Sequence, residues 1–369
     1  MNEILIPHSL QITLDDVGWF NGADDRPNGG SAHTGIARRH CAEDYAAINE
    51  LGRRLNMRIN CAFIVGEWDP DNRLRPIPYL SRFGENWDNA AYLDREEMAR
   101  CVQVINDSPY IDIAVHGLLH NYYKPGVPYS NSDYYYKQDD VLTMSPESEV
   151  RARLDAFFDM VRCHGIKKRI NSFIPPTFAY RWDEISKILK DYGIIYCSTV
   201  YRTMQMDGEK PCIAGVENGI ITMDRNNNLI PWYEIESDPR KLPAVTDIFG
   251  CHWPNILHTE PSRYEETVGK WVEYFESCAE NFGTVLSRDI GFAATQSLYR
   301  SYGEVRAEGD GFVIDISEVP EARGRRDYFC ISAREEIREF YGCTAEVFER
   351  RKNFITYRVT PHEDVLRIW

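Results

Sequence analysis

LQITLDDVGW, residues 10–19, alternates apolar and polar side chains, sets two carboxylates side by side, and ends on Gly and Trp. In a strand, adjacent side chains point to opposite faces, so neighbouring Asp residues do not share a site by default. Two readings follow: a solvated turn after a strand, or a pair in which one Asp holds a cation while the other handles a proton. The segment also bears on the fold. WFNGADDRPNGGSAHTG (19–35) is a long polar loop without G-x-G-x-x-G, so this strand does not open a dinucleotide-binding unit.

Outward from this strand, short apolar runs alternate with helical patterns. INCAFIV (59–65), IDIAVHG (111–117), INSFIPP (170–176), IIYCSTV (194–200), GIITM (219–223) and FGCHWPNILH (249–258) read as strands. Tyr45, Ile48, Leu51 and Leu55 form one helical stripe. Val150, Leu154, Phe157 and Val161 form another, opened by Ser145-Pro146 as N-cap and first helical position. Buried strands alternating with helices predict an α/β fold with a parallel sheet, and about seven such units predict a closed or nearly closed barrel. After residue 302 the character changes. EVRAEGDGFVIDIS and FITYRV alternate with period two, and only SAREEIREFYG carries a short helical pattern. Residues 1–302 read as the main domain, and 303–369 as a small C-terminal β-rich appendage that packs on it.

Composition narrows the function classes. The chain of 369 residues has a net charge of −15, which argues against nucleic acid and anionic membrane as partners. MNEILIPHSL lacks a basic, then apolar, leader, and no apolar run approaches the ~20 residues of a membrane span, so a cytoplasmic setting is expected. The ten Cys residues form no C-x-x-C pair and several lie in apolar runs, which reads as buried thiols rather than a zinc knuckle. No G-x-S-x-G elbow is present.

In an α/β barrel the chemistry gathers where strands end. Four segments here fit that position: LDD (14–16), HGLLH (116–120), FIPPTFAY (173–180) and ILHTE (256–260). An H-x-x-x-H spacing on a helical turn brings His116 and His120 to one face, near enough to share a cation. Two imidazoles and one carboxylate leave coordination positions open for water and a substrate oxygen. Trp19, Glu67 and Trp68 also lie just past strand ends, where aromatic rings suit sugar faces and core packing alike. SAHTGIARRH (31–40) is a candidate pocket mouth. YSNSDYYYKQDD (129–140) reads as a substrate lip or a surface loop, and His252, two residues before Pro254, as structural.

LDDVGW, HGLLH, FIPP and ILHTE, in this order, resemble the motif series of the polysaccharide deacetylase superfamily, carbohydrate esterase family 4 and its relatives, over about residues 10–260. The resemblance implies a distorted (β/α)7-type barrel and a divalent metal ion, zinc foremost, with cobalt, nickel or manganese as alternatives. It implies Asp15 as catalytic base, and Asp16, His116 and His120 as metal ligands. His258 would protonate the leaving group, and the backbone N–H of Thr177 would stabilise the oxyanion. Gly117 stands at a hydroxyl position. The chain departs from the family in two places, the R-P-P-Y-G motif and D-x-x-D-W. The Arg of R-P-P-Y-G is replaced by Ile174, with Arg169 and Arg181 as nearby candidates. Asp224-Arg225, with Trp232, is the nearest match to D-x-x-D-W.

The function so implied is metal-dependent removal of acetyl groups from an N- or O-acetylated small or oligomeric carbohydrate. The alternatives are hydrolysis of non-glycan C–N bonds (amides or imides) on the same fold, and a non-catalytic carbohydrate-binding barrel. An iron oxygenase with a two-His, one-carboxylate triad ranks last, because such triads sit on β-rich folds.

Overall fold

The His8–Val17 strand is buried along nearly its whole length. Its alternation therefore separates two buried layers, not core from solvent. Leu10, Ile12 and Leu14 join the main hydrophobic core. Gln11 is satisfied inside, its Nε2 donating to the carbonyls of Ile12 and Arg58 at 2.9 Å each. Buried polar groups need such partners. The computed structural model describes residues 3–20, 36–204, 214–225, 229–241 and 245–369.

The sheet is parallel, as strands covered on both faces by crossover helices should be. His8–Val17 lies between Ile248–His252 and Ile59–Ile64. The order then runs through Ile111–Gly117, Ser172–Phe173, Tyr196–Thr199 and Ile220–Asp224 to an antiparallel edge at Gly215–Glu217. Thr284–Leu286 adds a parallel partner to the start of the first strand. Among the described residues no continuous ladder closes this sheet. Leu229, beyond the end of Ile220–Asp224, forms an isolated parallel bridge to Gly250 of Ile248–His252. What is described is thus an α/β fold built on a parallel sheet.

The helices follow from their stripes and caps. Ala42–Leu55 buries Tyr45, Ile48, Leu51 and Leu55. Arg95–Asp107 starts where the Asp94 carboxylate accepts from the N–H groups of Glu96 and Glu97. Glu147–Cys163 begins one residue later than expected, with Pro146 itself at the N-cap. Tyr264–Ala279 and Ile290–Tyr302 complete the set that packs on the sheet.

The C-terminal residues form two four-stranded sheets. One pairs Phe329–Ala333, Ile355–Pro361 and Cys343–Arg350 with the short N-terminal strand Ile4–Leu5. A second apolar cluster joins Ile4, Ile331 and Val359 to Ile290 and Leu298 of the Ile290–Tyr302 helix. SAREEIREFYG is not helical. Its N–H groups are taken by distant acceptors: Ile337 donates to the Tyr357 hydroxyl, and Arg338 and Glu339 donate to the Trp369 carbonyl. Tertiary pairing overrides a weak local preference here. No helix among the described residues is long and apolar enough to cross a membrane.

Candidate active site

Two irregularities in the sheet answer the question raised by the Asp pair. The ladder between His8–Val17 and Ile59–Ile64 breaks register between Leu14 and Val17, where Asp15 and Asp16 lie. The ladder between Ile59–Ile64 and Ile111–Gly117 passes from Val115 to Gly117, skipping His116. Such bulges re-aim side chains. Asp16 also takes a left-handed backbone, φ 60°. Both carboxylates consequently line one cavity of about 440 Å³, together with His116 and His120.

Strain concentrates at the same place. His120 (φ 56°), Thr177 (φ 54°) and Phe178 (φ 54°) share the left-handed region with Asp16, and all four line this cavity. Each such residue costs of order 1–3 kcal/mol and persists only where its surroundings fix it. His116 and His120 do not sit on a helical turn. Residues 118–120 form a bend that brings the two rings to 5.2 Å between centroids. Gly18 (φ 116°) completes the turn after the pair, since a Cβ there would stand 2.3 Å from the Ile64 carbonyl oxygen.

Asp16 Oδ1 lies 3.4 Å from His116 Nε2 and 3.6 Å from His120 Nε2, with all three residues buried. One donor atom from each falls within 4.8 Å of the others. Bonds of about 2.0–2.1 Å to a tetrahedral zinc place neighbouring ligand atoms about 3.3 Å apart, so this donor set fits a single divalent ion. His116 Nδ1 donates to the Ile174 carbonyl at 2.6 Å, which turns the Nε2 lone pair toward Asp16. Burial disfavours a charge on His116, but Asp16 and Asp15 outweigh it and raise its pKa.

Asp15 is held by an arginine from the segment nearest to D-x-x-D-W, not from the R-P-P-Y-G position. Arg225 Nη1 donates to both Asp15 oxygens, at 3.1 and 2.9 Å, and Nη2 donates to Thr13 Oγ1 at 2.8 Å. The guanidinium also lies over the Phe178 ring, 5.0 Å from its centroid. Arg169 is exposed and Arg181 pairs with Glu184, so neither takes that place. The sequence signals for Arg225 were its position directly after the GIITMD strand and its place in the segment nearest to D-x-x-D-W.

The imidazole at the cavity's remaining strand end is His252. Its Cα is the ladder partner of Asp15. Its Nδ1 donates to the Ile230 carbonyl at 2.7 Å, and its Nε2 lies 3.7 Å from Asp16 Oδ2. His258 is not among the cavity-lining residues. The strand ends at His252, and the Trp253–Ile256 turn with Pro254 leads the chain away. His258 Nδ1 accepts from the Glu260 N–H and lies 3.6 Å from Glu236.

Four other expected site residues, Trp19, Glu67, Trp68 and Asp224, are not among those lining the cavity. Trp19 and Trp68 are buried in the main core, where Trp68 Nε1 donates to the Gly18 carbonyl. Buried Glu67 accepts from the Phe20 N–H at 2.6 Å. Asp224 accepts from the Tyr201 N–H at 3.0 Å. Thr177 lines the cavity, as do Phe178, Leu229, Pro231 and Trp232. In the expected pocket mouth, His33 lies outside the described residues, whereas His40 is buried, 3.2 Å from Asp44 and stacked on Trp253.

No family model and no curated protein matches the chain. Among solved structures it is similar to a mutant of a CE4 family pseudoenzyme with restored enzymatic activity, at 13% identity and TM-score 0.39, over 79% of this chain and 68% of that one. It is similar to a Mycobacterium smegmatis protein classed with the polysaccharide deacetylases, at 12% identity and TM-score 0.39, over 79% and 91%. A 4-alpha-glucanotransferase from Thermococcus litoralis matches at 13% identity and TM-score 0.39, over 76% of this chain and 39% of that chain.

Proposed function

We propose that the chain is a metal-dependent hydrolase that removes an acetyl group from an N- or O-acetylated carbohydrate. What carries the reading is the meeting of Asp16, His116 and His120 within 4.8 Å in a cavity that Asp15 also lines. A divalent ion held by these three residues, zinc foremost, would supply Lewis acidity and make a water acidic enough to attack at neutral pH. Asp15 accepts the proton of the attacking water. Arg225 aims Asp15 by donating to both of its carboxylate oxygens. The Thr177 backbone N–H supports the charge that develops on the acetyl oxygen. As the acyl bond breaks, His252, in place of His258, gives a proton to the departing amine or alcohol. Its Nδ1–H bond to Ile230 directs Nε2 inward for this role.

In this reading residues 1–302 form a distorted (β/α)7-type barrel that carries the chemistry, supported by the isolated bridge from Leu229 to Gly250 of the Ile248–His252 strand. Residues 303–369 serve as an accessory β element. A second reading, hydrolysis of a small amide or cyclic imide, draws support from the apolar lining of Phe178, Leu229 and Pro231 and the modest cavity. The test is a release screen on zinc- and cobalt-loaded protein. Acetate from acetylated mono- and oligosaccharides supports the first reading. Turnover of imides alone supports the second, and no turnover of either class removes both.

A further inference from the structure

Gly117 stands between His116 and the bend that carries His120. A Cβ built on it would lie 2.2 Å from Asp133 Oδ2 and 2.8 Å from Asp133 Cγ, so a carboxylate occupies the room in which a side chain at 117 would have to sit. Asp133 is fully buried, and it comes from YSNSDYYY, the stretch that reads as a lip or a surface loop. Its Oδ1 accepts from the N–H groups of Leu118 and Leu119, at 3.1 and 3.4 Å.

Those two amides belong to a bend, so no ladder satisfies them, and buried N–H groups require an acceptor. The bend's other side is fixed as well. Val65 donates to the Gly117 carbonyl and Gly66 to the Leu118 carbonyl. His120 must hold φ 56° against its intrinsic preference, which requires surroundings that leave no alternative. A buried carboxylate is an expensive way to do this unless its charge is answered. Burial prevails and raises the Asp133 pKa, while the Arg153 charge and the two amides offset part of that cost.

Resting on the metal-site reading, we propose that Asp133 is a positioning residue. Its carboxylate, filling the space left by Gly117, sets the bend that spaces His116 and His120. Gly117 and Asp133 are then a compensating pair. A serine hydroxyl at 117 can accept from the amide two residues on, but only once the Asp133 carboxylate is gone.

The experiment is zinc affinity of the full chain by competition with a chromophoric chelator, with the thermal midpoint of the metal-free protein measured alongside. The proteins are wild type, Asp133→Ala, Asp133→Asn, Gly117→Ser and the Gly117→Ser/Asp133→Ala double variant. Loss of a group that orients a ligand costs about 10–100-fold in metal affinity. Asp133→Ala and Gly117→Ser are each expected to lose that much, Asp133→Asn less because its amide oxygen still accepts, and the double variant to recover most of the loss. Folded Asp133→Ala with wild-type affinity, or a double variant no better than the weaker single, overturns the proposal. A wild type that takes up no zinc overturns the metal reading and this inference with it, and is told apart by that control.

Discussion

Arg225 reaches across the sheet from the end of Ile220–Asp224 and donates to both carboxylate oxygens of Asp15, with both side chains buried. The pair ties the proposed base to Thr13 and to the Phe178 ring in one rigid unit. A lysine keeps the charge but not the planar fork. Arg225→Lys is therefore expected to lower kcat by at least about 10-fold while metal content stays at the wild-type level. Equal losses of metal and rate would show that Arg225 supports the ligands and not the base.

His252 and His258 are distinguished by position. His252→Ala is expected to cut turnover by about 10²–10⁴-fold, the usual range for a lost acid. His258→Ala is expected to leave turnover near wild type, because His258 faces Glu236 and Glu260 outside the cavity lining. Steady-state rates on one acetylated substrate decide between them. The reverse pattern returns the role to His258.

Asp247 anchors the first strand to the Ile290–Tyr302 helix. It accepts from the Ser9 N–H, the Ser297 hydroxyl and Arg300, and lies 3.3 Å from His8. Burial alone would raise its pKa, but His8 and Arg300 prevail and bring it from about 3.8 to about 2. A carboxylate depressed in the fold contributes stability above its unfolded pKa and loses it as pH falls through the folded value. Asp247→Asn is expected to cost about 2 kcal/mol at pH 7, with the difference from wild type shrinking between about pH 4 and pH 2. Urea unfolding across that range measures it, and a pH-independent difference would place the cost in packing.

What was legible in the sequence was local. The strand ends, the Asp pair and the H-x-x-x-H spacing are each written in a few consecutive residues, and the structure brings Asp15, Asp16, His116 and His120 to one cavity. Arg225, His252 and Asp133 depend on sheet register and on the packing of distant segments. His252 meets Asp15 only because their strands pair, and the sequence between them carries no mark of that. The helical turn expected for HGLLH gave way to a bend because Asp133, Val65 and Gly66 hold its backbone groups. Trp19 and Trp68 sat at strand ends as expected, but their large apolar surfaces are buried in the core.

The division of labour between adjacent carboxylates is the central claim, and metal content measured beside acetate release tests it most directly. Asp16→Asn replaces an anionic ligand with a neutral amide and is expected to lose the bound ion. Asp15→Asn is expected to keep a full complement of metal and lose about 10²–10⁴ in rate, because the attacking water has no base. An Asp15→Asn protein that loses its metal while Asp16→Asn keeps it would contradict the assignment.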